Sequence, residues 1–329
     1  MPISLVTGGA GFIGSHLVDQ LLANDHHVIV LDDLSGGYVE NISPEVKFIE
    51  GSILDHELLV KLFLTHKIDY VYHLAAYAAE GLSHFIKRFN YQNNLIGSVN
   101  LINESVKHNI KCFVFTSSIA VYGNQTPPMT EGMVPLPEDP YGIAKYAVEQ
   151  ELKVSKEMFD LDYVIFRPHN VYGERQNISD PYRNVVGIFM NQLLNGKSLT
   201  IFGDGSQTRA FSYVGDIAPI IAESATRADV YGEIFNVGSD QEISVKDLAV
   251  QVMKVMQMES PINYLEARKE VQHAYAVHDK VKKYFENPEQ TALIFGLKKM
   301  SEWAKNTTHL PTKKFEPLEL SKNLPPFWK

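Results

Sequence analysis

Cysteine is almost absent from the chain, which has a single one, Cys112, among 329 residues. One cysteine excludes an internal disulfide, and it excludes zinc and iron–sulfur sites built from several cysteines. Cys112 lies in an apolar run, where we expect it to be a small buried hydrophobic residue. The 12 histidines show no ligand spacing with acidic partners, so no metal is expected.

Long hydrophobic runs and an excess of positive charge are missing as well. No apolar run approaches the roughly 20 residues that a membrane span needs, and no cationic segment with a long apolar stretch after it marks a secretory signal. The net charge is −9, from 30 Lys and Arg against 39 Asp and Glu, which argues against general binding to nucleic acid. With 45% hydrophobic and 21% charged residues, the composition is that of a globular protein. We expect a cytoplasmic protein with no nucleic-acid or membrane partner.

Short apolar runs alternate with amphipathic segments through the first half of the chain. This alternation predicts crossover connections and a parallel sheet, the α/β class with a Rossmann-type doubly wound sheet. The predicted strands are Ile3–Thr7, His27–Asp32, Val46–Glu50, Tyr70–His73, Lys111–Thr116 and Tyr163–Phe166. Helical spacing occurs in Phe12–Ala23, Asp55–Thr65, Phe89–His108 and Tyr141–Phe159.

The alternation of predicted strands and helices becomes less regular after about Pro168. We predict a first domain over residues 1–170 and a smaller mixed α/β domain mainly over 171–329, with about 211–238 returning to the first. The predicted helices there are Val185–Leu194, Val214–Arg227, Val245–Gln257 and Glu289–Phe295, and the predicted strands are Leu199–Phe202 and Ile234–Val237. The proline-rich tail Leu310–Lys329 is predicted to be mostly extended.

A glycine-rich turn directly follows the first predicted strand and opens the first helix. Gly8, Gly11 and Gly14 suit a tight turn, close backbone approach to a pyrophosphate and close helix–strand contact. Asp32 ends the second strand, where a carboxylate accepts from ribose hydroxyls and repels a 2′-phosphate. Asp33 adds a second negative charge. The pattern therefore predicts a dinucleotide site that takes NAD rather than NADP.

A second motif follows the fifth strand, where Ser118 precedes Tyr141 and Lys145. On a helix the last two side chains are one turn apart and share a face. A tyrosine ionises with a pKa of about 10, and a nearby ammonium lowers that pKa. We therefore expect Lys145 to lower the pKa of Tyr141, so that Tyr141 acts as a general base toward a sugar hydroxyl while Ser118 helps to relay the proton.

Together these motifs resemble the extended short-chain dehydrogenase/reductase family, and most closely its nucleotide-sugar epimerases of the UDP-glucose 4-epimerase type. The resemblance covers most of the chain and is weakest after about Thr307. It implies that Ser118, Tyr141 and Lys145 are the catalytic triad and that the cofactor is NAD. The cofactor contacts it implies are Gly8, Gly11, Phe12, Ile13, Gly14, Asp32, Asp33, Ser52, Ile53, Leu74, Ala75, Ala76, Tyr141, Lys145 and His169.

Three places in the chain depart from that family's pattern or leave alternatives open. Ser52 stands where the family has an aspartate, which weakens one adenine contact. The stretch from Tyr77 to Ser83 also departs from the epimerase pattern, and within it Glu80 faces either the substrate or solvent. His169 is either beside the nicotinamide or a satisfied histidine at a strand end.

The resemblance also implies a nucleotide-diphosphate sugar, UDP-linked, as the substrate. It assigns substrate contacts to Ser118, Asn170, Thr200, Phe202, Arg209, Arg268 and Tyr275. Two arginines on one diphosphate would make charge-assisted contacts. The bulk of Tyr275 leads to the hypothesis that plain hexoses or hexuronates are preferred to N-acetylated sugars.

The implied reaction is epimerisation at C4 through a 4-keto sugar, with hydride transfer to bound NAD. A 4,6-dehydratase would carry an Asp-Glu pair where this chain has Ile119 and Ala120. A decarboxylase or a 3,5-epimerase acting through the same 4-keto species stays open, as does a reductase that uses exchangeable NADH. A non-catalytic NAD-binding regulator is a further alternative. The family also commonly dimerises through the helices predicted over Phe89–His108 and Tyr141–Phe159, whose side chains Val99, Ile102, Val148 and Leu152 fit either that interface or the core.

Overall fold

A seven-stranded parallel sheet forms the centre of the computed structural model, which describes residues 1–267, 271–286, 290–307 and 315–325. The strand order is β3-β2-β1-β4-β5-β6-β11, so the chain reverses direction across the sheet between β1 and β4. Parallel pairing places the carboxyl ends of all seven strands at one edge. These strands are β1 (Ile3–Thr7), β2 (His27–Asp32), β3 (Lys47–Glu50), β4 (Tyr70–His73), β5 (Cys112–Thr116), β6 (Tyr163–Pro168) and β11 (Ile234–Val237).

Helices cover both faces of this sheet, as a doubly wound fold requires. Each face has its own core of buried aliphatic and aromatic side chains. The helices of the first half are α1 (Phe12–Ala23), α2 (His56–Thr65), α3 (Glu80–Ser83), α4 (Lys87–Tyr91), α5 (Gly97–Lys107) and α6 (Pro140–Phe159). A π-helical turn over Gln92–Ile96 joins α4 to α5, so the helix predicted over Phe89–His108 exists with a local irregularity.

The second half supplies a third core and three small sheets. Its helices are α7 (Val185–Leu194), α8 (Val214–Ser224), α9 (Val245–Met256), α10 (Asp279–Tyr284) and α11 (Leu293–Asn306). The small sheets contain β7 (Val171–Tyr172), β8 (Leu199–Phe202), β9 (Thr208–Ala210), β10 (Ser212–Tyr213), β12 (Glu242–Ser244), β13 (Ile262–Leu265) and β14 (His273–Ala274). Strand β11 returns to the main sheet beside β6, while the domain division near residue 170 stays a prediction.

One predicted helix has the wrong bounds. The last helix begins at Leu293 and continues to Asn306, so the prediction Glu289–Phe295, whose first residue lies outside the described residues, overlaps only its first turn. Of the two alternatives left open for the apolar side chains of α5 and α6, the structure supports the core for three: Ile102, Val148 and Leu152 are buried under the sheet. Their apolar spacing marked the inner faces of α5 and α6, because a helix of a globular protein turns its apolar stripe toward the core.

Candidate active site

The glycine-rich turn lies at the carboxyl end of β1, beside the point where the strand order reverses. Gly8 has a φ of +76°, and a β-carbon there would lie 2.7 Å from the backbone nitrogen of Ala75. At Gly14 a β-carbon would lie 2.0 Å from the Gly8 carbonyl oxygen. Both positions therefore require glycine, because any side chain would push α1 and the segment after β4 away from the turn. Such crevices at the carboxyl ends of strands are where open α/β sheets bind ligands.

The start of α1 fits a diphosphate. The residue before the helix is Gly11, which has no side chain to accept from the N–H groups of Phe12 and Ile13, and the first turn carries no acidic residue. These N–H groups and the helix dipole favour an anion at this position. The side chains of Phe12 and Ile13 pack against the core of the second half, so the turn lies where the two halves meet.

Asp32 is nearly buried at the end of β2 and holds the turn in shape. Its carboxylate accepts from the backbone N–H of Ala10 and of Leu34, each at 2.9 Å. Burial raises the pKa of Asp32, and these hydrogen bonds oppose that rise. Asp33 is exposed, and its carboxylate accepts from the Ser35 N–H at 3.0 Å. Each Asp32 oxygen keeps a second lone pair for a ribose hydroxyl.

The other predicted cofactor residues lie at the same edge of the sheet. Leu74 donates its N–H to the Thr7 carbonyl at 3.0 Å, which fixes the start of the Leu74–Ala76 segment. Ile53 is buried, and Ser52 accepts from the Leu54 N–H at 3.2 Å. The residues present therefore fit a dinucleotide: a phosphate-binding turn, a ribose carboxylate and an apolar wall. NAD, when bound, supplies a hydride acceptor.

Ser118, Tyr141 and Lys145 come together at the carboxyl end of β5. Asp139 begins α6 by accepting from the Gly142 N–H at 2.9 Å, and Pro140 occupies the first turn, so local sequence fixes where Tyr141 sits. The hydroxyl of Ser118 accepts from the Ala120 N–H at 3.1 Å, and its presence lowers the pKa of Tyr141. The ammonium of Lys145 lies 5.8 Å from the centre of the Tyr141 ring and donates to the Thr116 carbonyl at 2.9 Å.

The prediction that the pKa of Tyr141 is lowered by Lys145 is wrong. Burial raises the pKa of Tyr141, and Ser118 only partly opposes this. Burial also lowers the pKa of Lys145 to about 7, while the carboxylate of Glu149 raises it. Both groups lie in a dry site, where desolvation penalises either charge, and proximity does not overcome that cost.

Glu149 was not predicted from the sequence, although it follows Lys145 by one helical turn. Its carboxylate is fully buried and pairs with the Arg167 guanidinium at 2.5 and 2.9 Å. It also accepts from the Ser117 hydroxyl at 2.5 Å. Arg167 donates in turn to the Tyr122 hydroxyl at 2.8 Å. This buried network lies behind the triad, and the i, i+4 spacing from Lys145 was the signal that could have found it.

His169 lies just after β6, and the structure supports the alternative of a satisfied histidine. One ring nitrogen, Nε2, lies 2.9 Å from Nε2 of His278, and Nδ1 lies 3.2 Å from the Ala210 carbonyl oxygen. His278 lies 2.6 Å from the Asp240 carboxylate. Because a carboxylate only accepts, His278 donates from Nδ1 to Asp240, and in the neutral pair its Nε2 accepts from His169, which leaves Nδ1 of His169 without a proton for the Ala210 carbonyl. Burial lowers the pKa of His169 to about 3.

Apart from Ser118 and Asn170, the predicted substrate residues lie on the second half of the chain. Thr200 and Phe202 are on β8, where Thr200 accepts from the Gln192 side chain at 3.1 Å. Asn170 donates to the Ala210 carbonyl at 3.1 Å, and Arg209 on β9 donates to the carbonyls of Val271 and Gln272. The loop carrying Tyr275 pairs with Met129, whose N–H donates to the Tyr275 carbonyl at 3.0 Å. Arg268 lies outside the described residues.

Glu80 is exposed at the start of α3. Its charge raises the pKa of Tyr141, whereas that of Arg183 lowers it. Among the described residues, no group of three histidine, cysteine or acidic side chains is arranged to hold a metal ion. A search of the same residues found no helix with both the length and the apolar character to cross a bilayer.

A dinucleotide turn, a strand-end serine and a Tyr-x-x-x-Lys pair at one sheet edge define an NAD-dependent enzyme of the short-chain dehydrogenase/reductase class. Residues 4–238 match the model of the NAD dependent epimerase/dehydratase family, and the chain belongs to this family. NAD is accordingly its cofactor.

Named relatives cover most of the chain. A UDP-glucose 4-epimerase of Mycolicibacterium smegmatis is 39% identical over 74% of this chain and 80% of its own. A crystal structure of UDP-glucose 4-epimerase with UDP-glucose from Thermotoga maritima has a TM-score of 0.88 and 36% identity, over 92% of this chain and 98% of that one. A crystal structure of UDP-glucuronic acid 4-epimerase from Bacillus cereus, in complex with UDP-glucuronic acid and NAD, has a TM-score of 0.84 and 30% identity. The match covers 92% of this chain and 99% of that one. Other relatives are named as dTDP-D-glucose 4,6-dehydratases and as a UDP-N-acetyl-alpha-D-glucosaminuronate decarboxylase.

Proposed function

We propose that the chain catalyses NAD-dependent epimerisation of a nucleotide-diphosphate sugar, at C4 of a UDP-hexose or UDP-hexuronate. The observation that carries this proposal is the position of Tyr141 on α6, with the Lys145 ammonium 5.8 Å from its ring centre and Ser118 just after β5, at the edge where the dinucleotide turn lies. The relatives named as UDP-sugar 4-epimerases support the same reaction.

In this proposal Tyr141 takes the proton of the sugar 4-hydroxyl and later returns it. Ser118 holds the same hydroxyl and the phenol in one hydrogen-bonded line, so that the proton moves over a short distance. Lys145, fixed by the Thr116 carbonyl, supplies positive charge that favours the phenolate of Tyr141, the form that takes the proton, against the burial that disfavours it. The keto sugar must then present its other face, so we place the tight contacts on the nucleotide diphosphate instead.

The substrate site that we propose combines both halves of the chain. Asn170 and Arg209 would hold the diphosphate, with Arg268 as a second cation, while Thr200 and Phe202 would flank the base. Tyr275 would limit bulk at the second carbon of the sugar. Two hydrogen bonds from Arg209 to the carbonyls of Val271 and Gln272 support this arrangement, because they tie the arginine to the loop that carries Tyr275.

We further propose a homodimer formed through α5 and α6. Val154 and Met158, one turn apart on α6, are exposed apolar side chains, and Ile143 is exposed on the same side nearer the start of the helix. Phe159 is exposed next to Met158 in the chain. Ile96 is exposed beside the start of α5. An apolar stripe of this kind fits the same stripe of a second copy in a two-fold interface. A cytoplasmic location stays a prediction.

The reaction can be tested by incubating the purified chain with UDP-glucose or UDP-glucuronate and following the products by NMR with no added cofactor. C4 epimers should appear, and Tyr141→Phe should lower kcat by roughly 100- to 10,000-fold while the protein keeps its NAD. Turnover that requires added NADH would favour a reductase, and loss of CO2 from UDP-glucuronate would favour a decarboxylase. Poorer turnover of UDP-glucose than of its N-acetyl analogue would overturn the hypothesis about Tyr275.

A further inference from the structure

Residues 315–325, which we name the C-terminal strap, cross the short helices α3 and α4. The carboxylate of Glu319 accepts from the backbone N–H groups of Arg88 and Phe89, each at 2.8 Å. The backbone N–H groups of Glu319 and Leu320 donate to the Phe85 carbonyl at 3.0 and 3.1 Å. The strap thus binds both the turn before α4 and the first turn of α4 itself, where N–H groups have no partner inside the helix.

Apolar contacts reinforce these hydrogen bonds. The ring of Phe315 lies 4.7 Å from the ring of Phe89 and 5.3 Å from that of Tyr77, measured between centres. Leu324 is buried with Leu82 and Ile86 in a small core of its own. The strap therefore covers apolar side chains of α3 and α4, and burial of this kind is the main favourable contribution to such packing.

The opposite side of the α3–α4 segment contacts the beginning of α6. The Ser83 hydroxyl accepts from the backbone N–H of Tyr141 at 3.3 Å and lies 3.4 Å from the Asp139 carboxylate. The side chain of Asn90 donates to the Pro140 carbonyl at 2.8 Å. The segment is therefore held between the strap and the turn that carries the catalytic tyrosine.

The α3–α4 segment also carries charge to the site. Glu80, the first residue of α3, raises the pKa of Tyr141. Arg183 donates to the Ala78 carbonyl at 3.4 Å and stacks over the Tyr77 ring at 5.1 Å, so it is fixed to the same segment. The interaction energy of two charges depends on the distance between them. A shift of α3 would therefore change the environment of the Tyr141 phenol.

We propose that the strap positions Tyr141: by holding α3 and α4 against the first turn of α6, it fixes the backbone of this tyrosine and its distance from Glu80. Glu319 and Phe315 are the positioning residues. The inference rests on the proposed function, because it assigns Tyr141 the role of base. The strap and the Tyr77–Ser83 stretch are also the segments that least resemble the family. The two segments contact each other in this structure.

The test compares Glu319→Ala with Glu316→Ala, a change at an exposed glutamate of the same segment, in the full chain. Glu319→Ala should lower kcat about tenfold, because small misplacement of a catalytic group is costly, with little change in KM or in bound NAD. Hydrogen exchange followed by mass spectrometry should become faster in peptides covering 87–90 and also in those covering 139–142. Glu319→Gln keeps one acceptor oxygen and should recover part of kcat. Glu316→Ala should behave as the unmodified protein.

Faster exchange at 87–90 with unchanged kcat and unchanged exchange at 139–142 would overturn the proposal, since Glu319 would then only cap α4. A second check uses Ser83→Ala: in that background Glu319→Ala should have little further effect on kcat, and fully multiplicative effects would contradict the coupling. If Glu319→Ala fails to fold, Phe315→Leu replaces it in the same comparison. If the unmodified protein turns over no nucleotide sugar, the proposed function fails, and exchange at 139–142 alone decides the role of the strap.

Discussion

Glu149 and Arg167 form a fully buried, two-pronged ion pair behind Ser118, Tyr141 and Lys145, the catalytic residues that we propose, with oxygen–nitrogen distances of 2.5 and 2.9 Å. Breaking such a pair leaves a buried charge without its partner, whereas replacing both members with apolar residues is often tolerated. Arg167→Met should therefore lower the free energy of unfolding by about 3–5 kcal/mol. The double variant Glu149→Leu with Arg167→Met should lose less free energy of unfolding, measured by urea denaturation, than the two single variants lose together. If the losses of the single variants simply added up in the double variant, the two residues would not be coupled.

Glu149 also raises the pKa of Lys145, which burial lowers to about 7. If the protonated lysine is the active form, activity is lost as the pH rises through this pKa. Glu149→Gln removes the negative charge, lowers the pKa of Lys145 further and should move the alkaline limb of the kcat profile to lower pH. Glu157→Gln, at an exposed position of the same helix, should leave the limb in place. A shift of the limb to higher pH in Glu149→Gln would refute this role.

His73 is completely buried between Thr7 and Ser98, which lie 2.7 and 2.8 Å from its two ring nitrogens. Burial lowers its pKa to about 3. Between about pH 6.5 and pH 3 the unfolded chain binds a proton that the folded chain does not, so stability falls as the pH falls, by up to about 1.4 kcal/mol per pH unit. His73→Asn should therefore reduce the difference between the free energies of unfolding at pH 7 and at pH 5, measured with urea. The control His27→Asn, at an exposed position, should keep the full difference. An equal difference in the two variants would argue against His73 as the cause.

Asp32 should determine the choice of cofactor. Asp32→Ala removes a charged acceptor from the ribose and from the Ala10 and Leu34 N–H groups, so affinity for NADH should fall about 10- to 100-fold, as expected for loss of charge-assisted hydrogen bonds. The ratio of the affinity for NADH to that for NADPH should become smaller, because the carboxylate that repels a 2′-phosphate is gone. Asp33→Ala is the natural comparison, since Asp33 is exposed. Fluorescence titration would count against Asp32 if Asp33→Ala had the larger effect.

The proposed dimer depends on the stripe along α6. Val154→Asp with Met158→Asp should convert a dimer into a monomer in light scattering coupled to size exclusion, because two carboxylates would be buried in an apolar interface. Val250→Asp changes an equally exposed valine on α9 and should leave the mass unchanged. A monomeric unmodified protein would exclude the interface outright.

Local patterns predicted much of the fold because the relevant signals are local. The glycine turn, Asp32 and the Ser118–Tyr141–Lys145 set each lie at a strand end or on one helix face, and their spacing places them at one edge of the sheet. The strap, Glu149–Arg167 and His169–His278 pair residues 18 to 231 positions apart. Such partners are chosen by tertiary packing, and no periodicity in the chain encodes them. The rise in the pKa of Tyr141 cannot be predicted from the sequence for the same reason, because the burial that causes it depends on the whole fold.

Strand β11 has a consequence for how the protein is made. It is the outermost strand beside β6, yet it is synthesised more than 60 residues later, at Ile234–Val237. A ribosome that has released only the first 170 residues presents β6 as a bare edge, and bare edges recruit other chains. We therefore expect a nascent chain or a fragment that stops before β11 to depend on chaperones, and the two halves of this enzyme to be poor candidates for separate expression.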